Sequence, residues 1–182
     1  MVIREATYVD LQDILKLVDS LQVSRDQPDW KEKTSGLFEY PKSFDELNEA
    51  LNPYFLIAKS GNGPLGFSIS YDSNFFNKKF KNSPFLEWKR IEEERGDFLY
   101  MDQLGVAKPD SLGAGRIALN LFNHSFEKAK SNNLEYALAY VCLEPLLNQR
   151  SKNILERLDF KEIEKMEIEN KILLGLYKKD FK

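Results

Sequence analysis

Leu11, Ile14, Leu15, Val18 and Leu21 recur at helical spacing, so one face of this early segment is apolar. Thr7-Tyr8-Val9-Asp10 just before it has the spacing of a capping box, and Ile3-Arg4-Glu5-Ala6 ahead of that reads as a short strand. A second helix is expected from Ser43 to Leu51, stopped by Asn52-Pro53. Tyr54–Ala58 and Leu65–Tyr71 are β-rich runs on either side of Gly61-Asn62-Gly63-Pro64, which predicts a hairpin. From Asp72 to Gly96 the pattern predicts a loop and then a charged helix from about Pro84 to Arg95.

Phe98 to Ala107 reads as a strand, and side-chain alternation puts Tyr100, Asp102, Leu104 and Val106 on one face. The helix after it has an apolar face of Ala114, Ile117, Ala118, Leu121, Phe122 and Ala129. A strand from Tyr136 to Leu143, a helix from Leu146 to Leu158, and strands near 161–166 and 171–177 complete the pattern. This order of elements predicts an α/β chain built on a mixed sheet. With 182 residues, no internal repeat and no linker-like stretch, it reads as one domain, 1–182, with an elaborated insertion at about 73–97.

Composition narrows the function classes. Hydrophobic residues make up 42% of the chain, including 13 Phe and 8 Tyr, enough for a packed core. The net charge of −3 gives no footprint for a nucleic acid, and no basic stripe carries interleaved aromatics. No apolar run approaches the ~18 residues that cross a bilayer, so no membrane partner is expected. Cys142 alone cannot form an intrachain disulfide, and the first residues carry no export signal, which points to the cytoplasm. No Cys/His cluster offers a zinc site, and scattered carboxylates define no magnesium site, so no metal is expected. Cys142 reads as a small strand hydrophobe; neither it nor His124 sits in an activating motif.

The most informative stretch is Val106-Ala107-Lys108-Pro109-Asp110-Ser111-Leu112-Gly113-Ala114-Gly115-Arg116. A strand ends, and glycines bring bare backbone to the mouth of an amphipathic helix. Unpaired amides with the helix dipole behind them suit phosphate oxygens, and Arg116 can add a charged contact. No Gly-Lys-Ser/Thr follows, so it is not a Walker loop, and a Rossmann fingerprint needs a further glycine. A Gly-rich turn that only lets the helix pack tightly is the competing reading.

Three motifs in order resemble the GCN5-related N-acetyltransferase superfamily. Ile3-Arg4-Glu5-Ala6-Thr7-x-x-Asp10-Leu11-x-x-Ile14-Leu15 looks like that family's first strand and helix. Asp110-Ser111-Leu112-Gly113-Ala114-Gly115 lies on its pyrophosphate loop, Gln/Arg-x-x-Gly-x-Gly/Ala, with Asp110 at the departing position. Asn148 to Phe160 is similar to the family's Asn followed by a helix ending Tyr-x-x-x-Gly-Phe, with Leu155 at the Tyr position and Asp159 at the Gly. Phe98-x-Tyr100-x-Asp102 with Asn148-x-x-Ser151 is similar to a little-characterised subgroup of predicted acetyltransferases.

The resemblance implies a mostly antiparallel sheet of about seven strands, splayed between the fourth and fifth, with about four flanking helices. It implies acetyl-CoA as cosubstrate and an amine of a small molecule, amino acid or peptide as acceptor. It places Leu104, Val106, Ala107, Ser111, Leu112, Gly113, Ala114, Gly115, Arg116, Asn148, Ser151 and Leu155 on the cofactor, with the Val106 amide nearest the thioester. Asn148 also suits a helix N-cap. Amine acylation needs a neutral nucleophile and a proton for the thiolate. Leu155 cannot supply that proton. Asp102 is a candidate base or acceptor-binding carboxylate, with Tyr100 beside it and Glu144 as a further candidate; Asp102 as a structural carboxylate is the alternative.

The rival function is an acyl-CoA-binding domain without turnover, acting as a sensor or partner protein. The acceptor pocket is expected from Trp30–Tyr40, Phe75–Trp88 and the last two strands, whose aromatics can enclose an acceptor, cover the core or form a homodimer interface.

Overall fold

The computed structural model of the protein describes residues 1–21, 42–61, 63–107, 113–145 and 147–181. Seven strands form one sheet in the order β1-β2-β3-β4-β5-β7-β6. They are β1 (Val2–Glu5), β2 (Phe55–Ser60), β3 (Gly63–Asp72), β4 (Phe98–Val106), β5 (Tyr136–Glu144), β6 (Lys161–Ile168) and β7 (Ile172–Asp180). β1 and β2, β2 and β3, β5 and β7, and β6 and β7 pair antiparallel, whereas β4 and β5 run parallel. The parallel ladder spans only Phe98–Met101 against Tyr136–Ala139, although both strands continue beyond it.

Six α-helices accompany the sheet among the described residues, more than the four or so expected: α1 (Leu11–Leu21), α2 (Phe44–Glu49), α3 (Ser73–Phe80), α4 (Leu86–Glu92), α5 (Ala114–Ser131) and α6 (Gln149–Arg157). By compactness the chain divides into two units, Met1–Ile69 with Gln103–Ser125, and Ser70–Asp102 with Phe126–Lys182.

In the first unit α1 buries Leu11, Ile14, Leu17 and Val18, so Leu17 takes the inward position the pattern gave to Leu15. The Arg4-to-Asp10 motif has a physical basis. Arg4 Nη1 and Nη2 each donate to one Asp10 carboxylate oxygen at 2.7 Å, and Lys59 Nζ lies 3.2 Å from Oδ1. Asp10 also accepts the Thr7 amide at 3.0 Å and the Thr7 hydroxyl at 2.9 Å. With only 1% of its side chain exposed, this carboxylate needs all of those donors. The Arg4 hydrogen bond, opposed by burial and helped by Thr7 and Lys59, holds Asp10 well below the usual carboxylate range. At α2, Ser43 and Glu46 form a reciprocal capping box.

In the second unit the insertion is helical where a loop was expected. Asp72 caps α3, its Oδ1 accepting the Phe75 amide at 2.8 Å, and Phe76 and Phe80 are buried one turn apart. Asn74 and Asn77 are weak local helix signals; burial of two aromatics overrides them. α4 follows, its Arg90 bonded to Glu94 at 2.8 Å and to Glu164 of β6 at 2.6 Å. At the end of α6, Asp159 adopts φ 63°, the left-handed conformation that favours glycine at a helix C-terminus. Phe160 then donates its amide to the Leu155 carbonyl at 3.0 Å and packs its ring on Phe126.

Candidate functional site

Within the first unit, the end of β4 and the start of α5 carry the cofactor expectation. The Ala107 amide donates to the Leu65 carbonyl of β3 at 2.8 Å, which commits that N–H to the sheet. Backbone groups of successive strand residues point to opposite edges, so those of Val106 point away from β3. Val106 itself has a buried side chain.

Gly113, Gly115 and Arg116 are exposed at the mouth of α5, Ala114 is buried under it, and the Ile117 amide closes the first turn on the Gly113 carbonyl at 3.1 Å. Among the described residues, a Cβ built on Gly113 or on Gly115 would meet nothing within 4 Å. Tight packing against those residues therefore does not explain either glycine. Ser111 and Leu112, with Asp110, lie outside the described residues.

The glycine that the chain's own atoms do require is Gly105, one residue before Val106. A Cβ there would overlap the Phe67 ring, lying 2.9 Å from its Cζ, and would be 3.1 Å from Leu21 Cδ1. Gly66 is similar: its Cβ would fall 2.8 Å from the Gly105 carbonyl oxygen. A glycine inside a strand is a sequence signal for close approach that went unused.

In the first unit, Leu104 packs against the cluster of Leu56, Ala58 and Leu121, as Ile117 does, whereas Gly105 faces Phe67 and Leu21. In the second unit, the Tyr71 hydroxyl donates to Asp102 Oδ2 at 3.2 Å.

Within the second unit, Asp102 is half-buried beside Tyr71, whose ring stacks on Phe75 with a centroid distance of 5.3 Å. Tyr71 was not anticipated as a partner. Tyr100 is buried against Phe76, ring centroids 5.1 Å apart, and near Tyr140 at 6.5 Å. Burial, then the Asp102 charge, pushes its hydroxyl well above the usual tyrosine range. Such a hydroxyl stays protonated and gives its proton up reluctantly.

Asn148 caps α6, its Oδ1 accepting the half-buried Ser151's amide at 3.1 Å, and its own N–H donates to the Cys142 carbonyl at 3.0 Å. Leu155 is 3% exposed and is the buried residue of α6, so its side chain takes the core packing that helical periodicity allowed and offers no free surface. Glu144 and His124 are exposed. Of the expected acceptor segments, Trp30–Tyr40 lies outside the described residues. In Phe75–Trp88, Phe76 and Phe80 are core, and Phe80 stacks within 4.2 Å of the Trp88 ring centroid. Among the described residues no helix is long and apolar enough to cross a membrane, and no three His, Cys, Asp or Glu side chains gather as a metal site would need.

No family model matches the chain, and no curated protein matches it in sequence. Solved structures do match in fold over its whole length. The aminoglycoside 6'-N-acetyltransferase from Enterococcus faecium is 13% identical with a TM-score of 0.66, covering 100% of this chain and 98% of its own. The NatC complex bound to Gag peptide and CoA contains a chain 18% identical, TM-score 0.65, covering 98% and 97%. The ribosomal-protein-alanine N-acetyltransferase from Brucella melitensis is 15% identical, TM-score 0.61, covering 99% of both chains. With the parallel β4–β5 ladder inside a mixed seven-stranded sheet, the chain has the fold of the GCN5-related N-acetyltransferases.

Proposed function

We propose that the protein is an acetyl-CoA-dependent N-acetyltransferase acting on an amine of a small molecule, amino acid or peptide. The observation that carries this reading is the open turn at the mouth of α5. Among the described residues Gly113 and Gly115 have no neighbour that a side chain would disturb, so bare backbone is left for phosphate oxygens to approach at a helix N-terminus. Arg116, exposed beside them, adds a cation for the same anion. The fold neighbours support the chemistry by their names: one acetylates an aminoglycoside, another a ribosomal-protein alanine, and a third holds CoA with a peptide. Acceptors so unlike one another leave the acceptor of this chain unassigned.

Acetyl-CoA supplies the acetyl group as a thioester. In this reading the Val106 amide, turned away from β3, donates to the acyl oxygen as charge gathers there. Asp102 takes the proton from an ammonium acceptor, directly or through water, and the Tyr71 hydroxyl fixes one of its oxygens. The neutral amine forms the C–N bond as the thioester C–S bond breaks, and the CoA thiolate departs with the second proton that the amide nitrogen loses, so no side-chain acid is required. Ser111 and Leu112 extend the phosphate loop. Leu104 backbone groups, Asn148 and Ser151 serve the pantetheine. Tyr100 shapes the strand below Asp102 and is not the acid.

A rival reading, CoA binding without turnover, draws on Leu155, an apolar, buried side chain at the family's tyrosine position. Calorimetry and turnover separate the two. Gly113→Glu is expected to weaken CoA binding about 10²-fold in a folded protein, since it puts a carboxylate among the phosphates. Unchanged affinity in that variant removes the site. Asp102→Asn is expected to lower turnover about 10²-fold with CoA affinity intact. CoA binding with no turnover on any amine of a broad panel favours the rival.

A further inference from the structure

We propose that Gly105 and the Phe67 ring form the positioning element that sets the cofactor edge of β4, which rests on the cofactor reading above. The argument is steric. Phe67 is fully buried and its ring lies where a Gly105 side chain would be, with Leu21 of α1 closing the same space. Phe55 backs the ring from β2, centroids 6.4 Å apart, so the ring cannot retreat freely. On the other side of the strand pair, Gly66 leaves room for the Gly105 carbonyl oxygen, which a Cβ on Gly66 would crowd at 2.8 Å. Thus β3 approaches β4 closely at Gly105 and is bonded to it again at Ala107.

Val106 lies between those two fixed points. Its backbone groups point to the edge opposite β3, and their position is dictated by how far Gly105 sinks onto the ring. An aromatic ring laid over a strand glycine also supplies the packing that the glycine lacks. Neither Gly105 nor Phe67 needs to touch the ligand. They act through the Val106 amide.

The test reads Ala107 amide hydrogen exchange, CoA affinity and the fold of Gly105→Ala, Phe67→Leu and the double variant. Leu lacks the ring atoms that a Gly105 Cβ would meet. Gly105→Ala should lower both Ala107 protection and CoA affinity about tenfold, because an added methyl in a filled space displaces backbone. The double variant should recover most of both losses, a coupling that independent sites do not show. A folded Gly105→Ala protein with wild-type protection and affinity overturns the proposal, as does a double variant with no recovery. Where Gly105→Ala fails to fold, Phe67→Leu decides: loss of Ala107 protection supports the element, and full protection overturns it. Should the wild-type chain not bind CoA, the cofactor reading fails while the exchange measurements still decide the positioning role.

Discussion

Two pairs of glycines in the same unit have opposite surroundings. At Gly66 and Gly105 a side chain would run into a backbone oxygen or an aromatic ring; at Gly113 and Gly115 it would enter space that no described residue fills. None of the four has a φ in the left-handed region, so conformation explains neither pair. The first pair is therefore explained by packing, and the second is not explained by the packing of the described residues. That difference separates residues that build the strand edge from residues that leave room beside a helix.

The largest effect expected from this contrast is on stability. Gly66→Ala and Gly105→Ala should each cost about 2–3 kcal/mol, the upper part of the range for overpacking a filled core. Gly113→Ala should stay within about 0.5 kcal/mol, as surface changes usually do. Denaturant unfolding of the variants checks this. Equal costs at both pairs would erase the distinction, and with it the argument that the α5 turn is kept open for a ligand.

Some of this was legible in the chain and some was not. The succession of strands along the chain, the β2–β3 hairpin and the long helix after the glycine turn follow from apolar spacing and turn chemistry, which act locally. α3 was not legible, because its stability comes from burying Phe76 and Phe80 while Asn74 and Asn77 are poor helix formers. Leu155 shows the limit of a family register: the motif located the residue, but its burial is set by tertiary packing. Gly113 and Gly115 were found by their motif, and their meaning came from the space around them.

A somewhat smaller effect sharpens the contrast from the structural side. Asp10 is held down by Arg4 in a carboxylate cluster remote in sequence from the α5 turn. Its folded pKa is depressed, so its stabilisation is fully present above the unfolded value near ~3.9 and is lost as pH falls below that value. Asp10→Asn should lower stability at neutral pH by about 2 kcal/mol, discounted because 44% of the Arg4 side chain is exposed, and should flatten the acid limb below about pH 4. CoA affinity at neutral pH should not change. An Asp10→Asn protein that is stable but has lost CoA binding would tie the two regions together and blunt the comparison.

The smallest change is the most discriminating, because its two readouts move in opposite directions. Gly115 lies in the first turn of α5 with open space around it, so alanine there should favour the helix. In a helix interior alanine is better than glycine by about 0.8–1 kcal/mol, and the unfolded chain loses freedom as well; in the first turn the gain should be about 0.5 kcal/mol. By packing alone, glycine is a poor choice at this position. A ligand whose oxygens approach the backbone reverses that judgement, since a methyl group there keeps phosphate at a distance from the helix N-terminus. Gly115→Ala should therefore melt slightly higher without ligand, bind CoA about tenfold more weakly, and gain less from saturating CoA than the wild-type chain does. A variant that is more stable and binds CoA as well as before would show that the glycine serves no ligand, leaving Gly113 and Arg116 to carry the site.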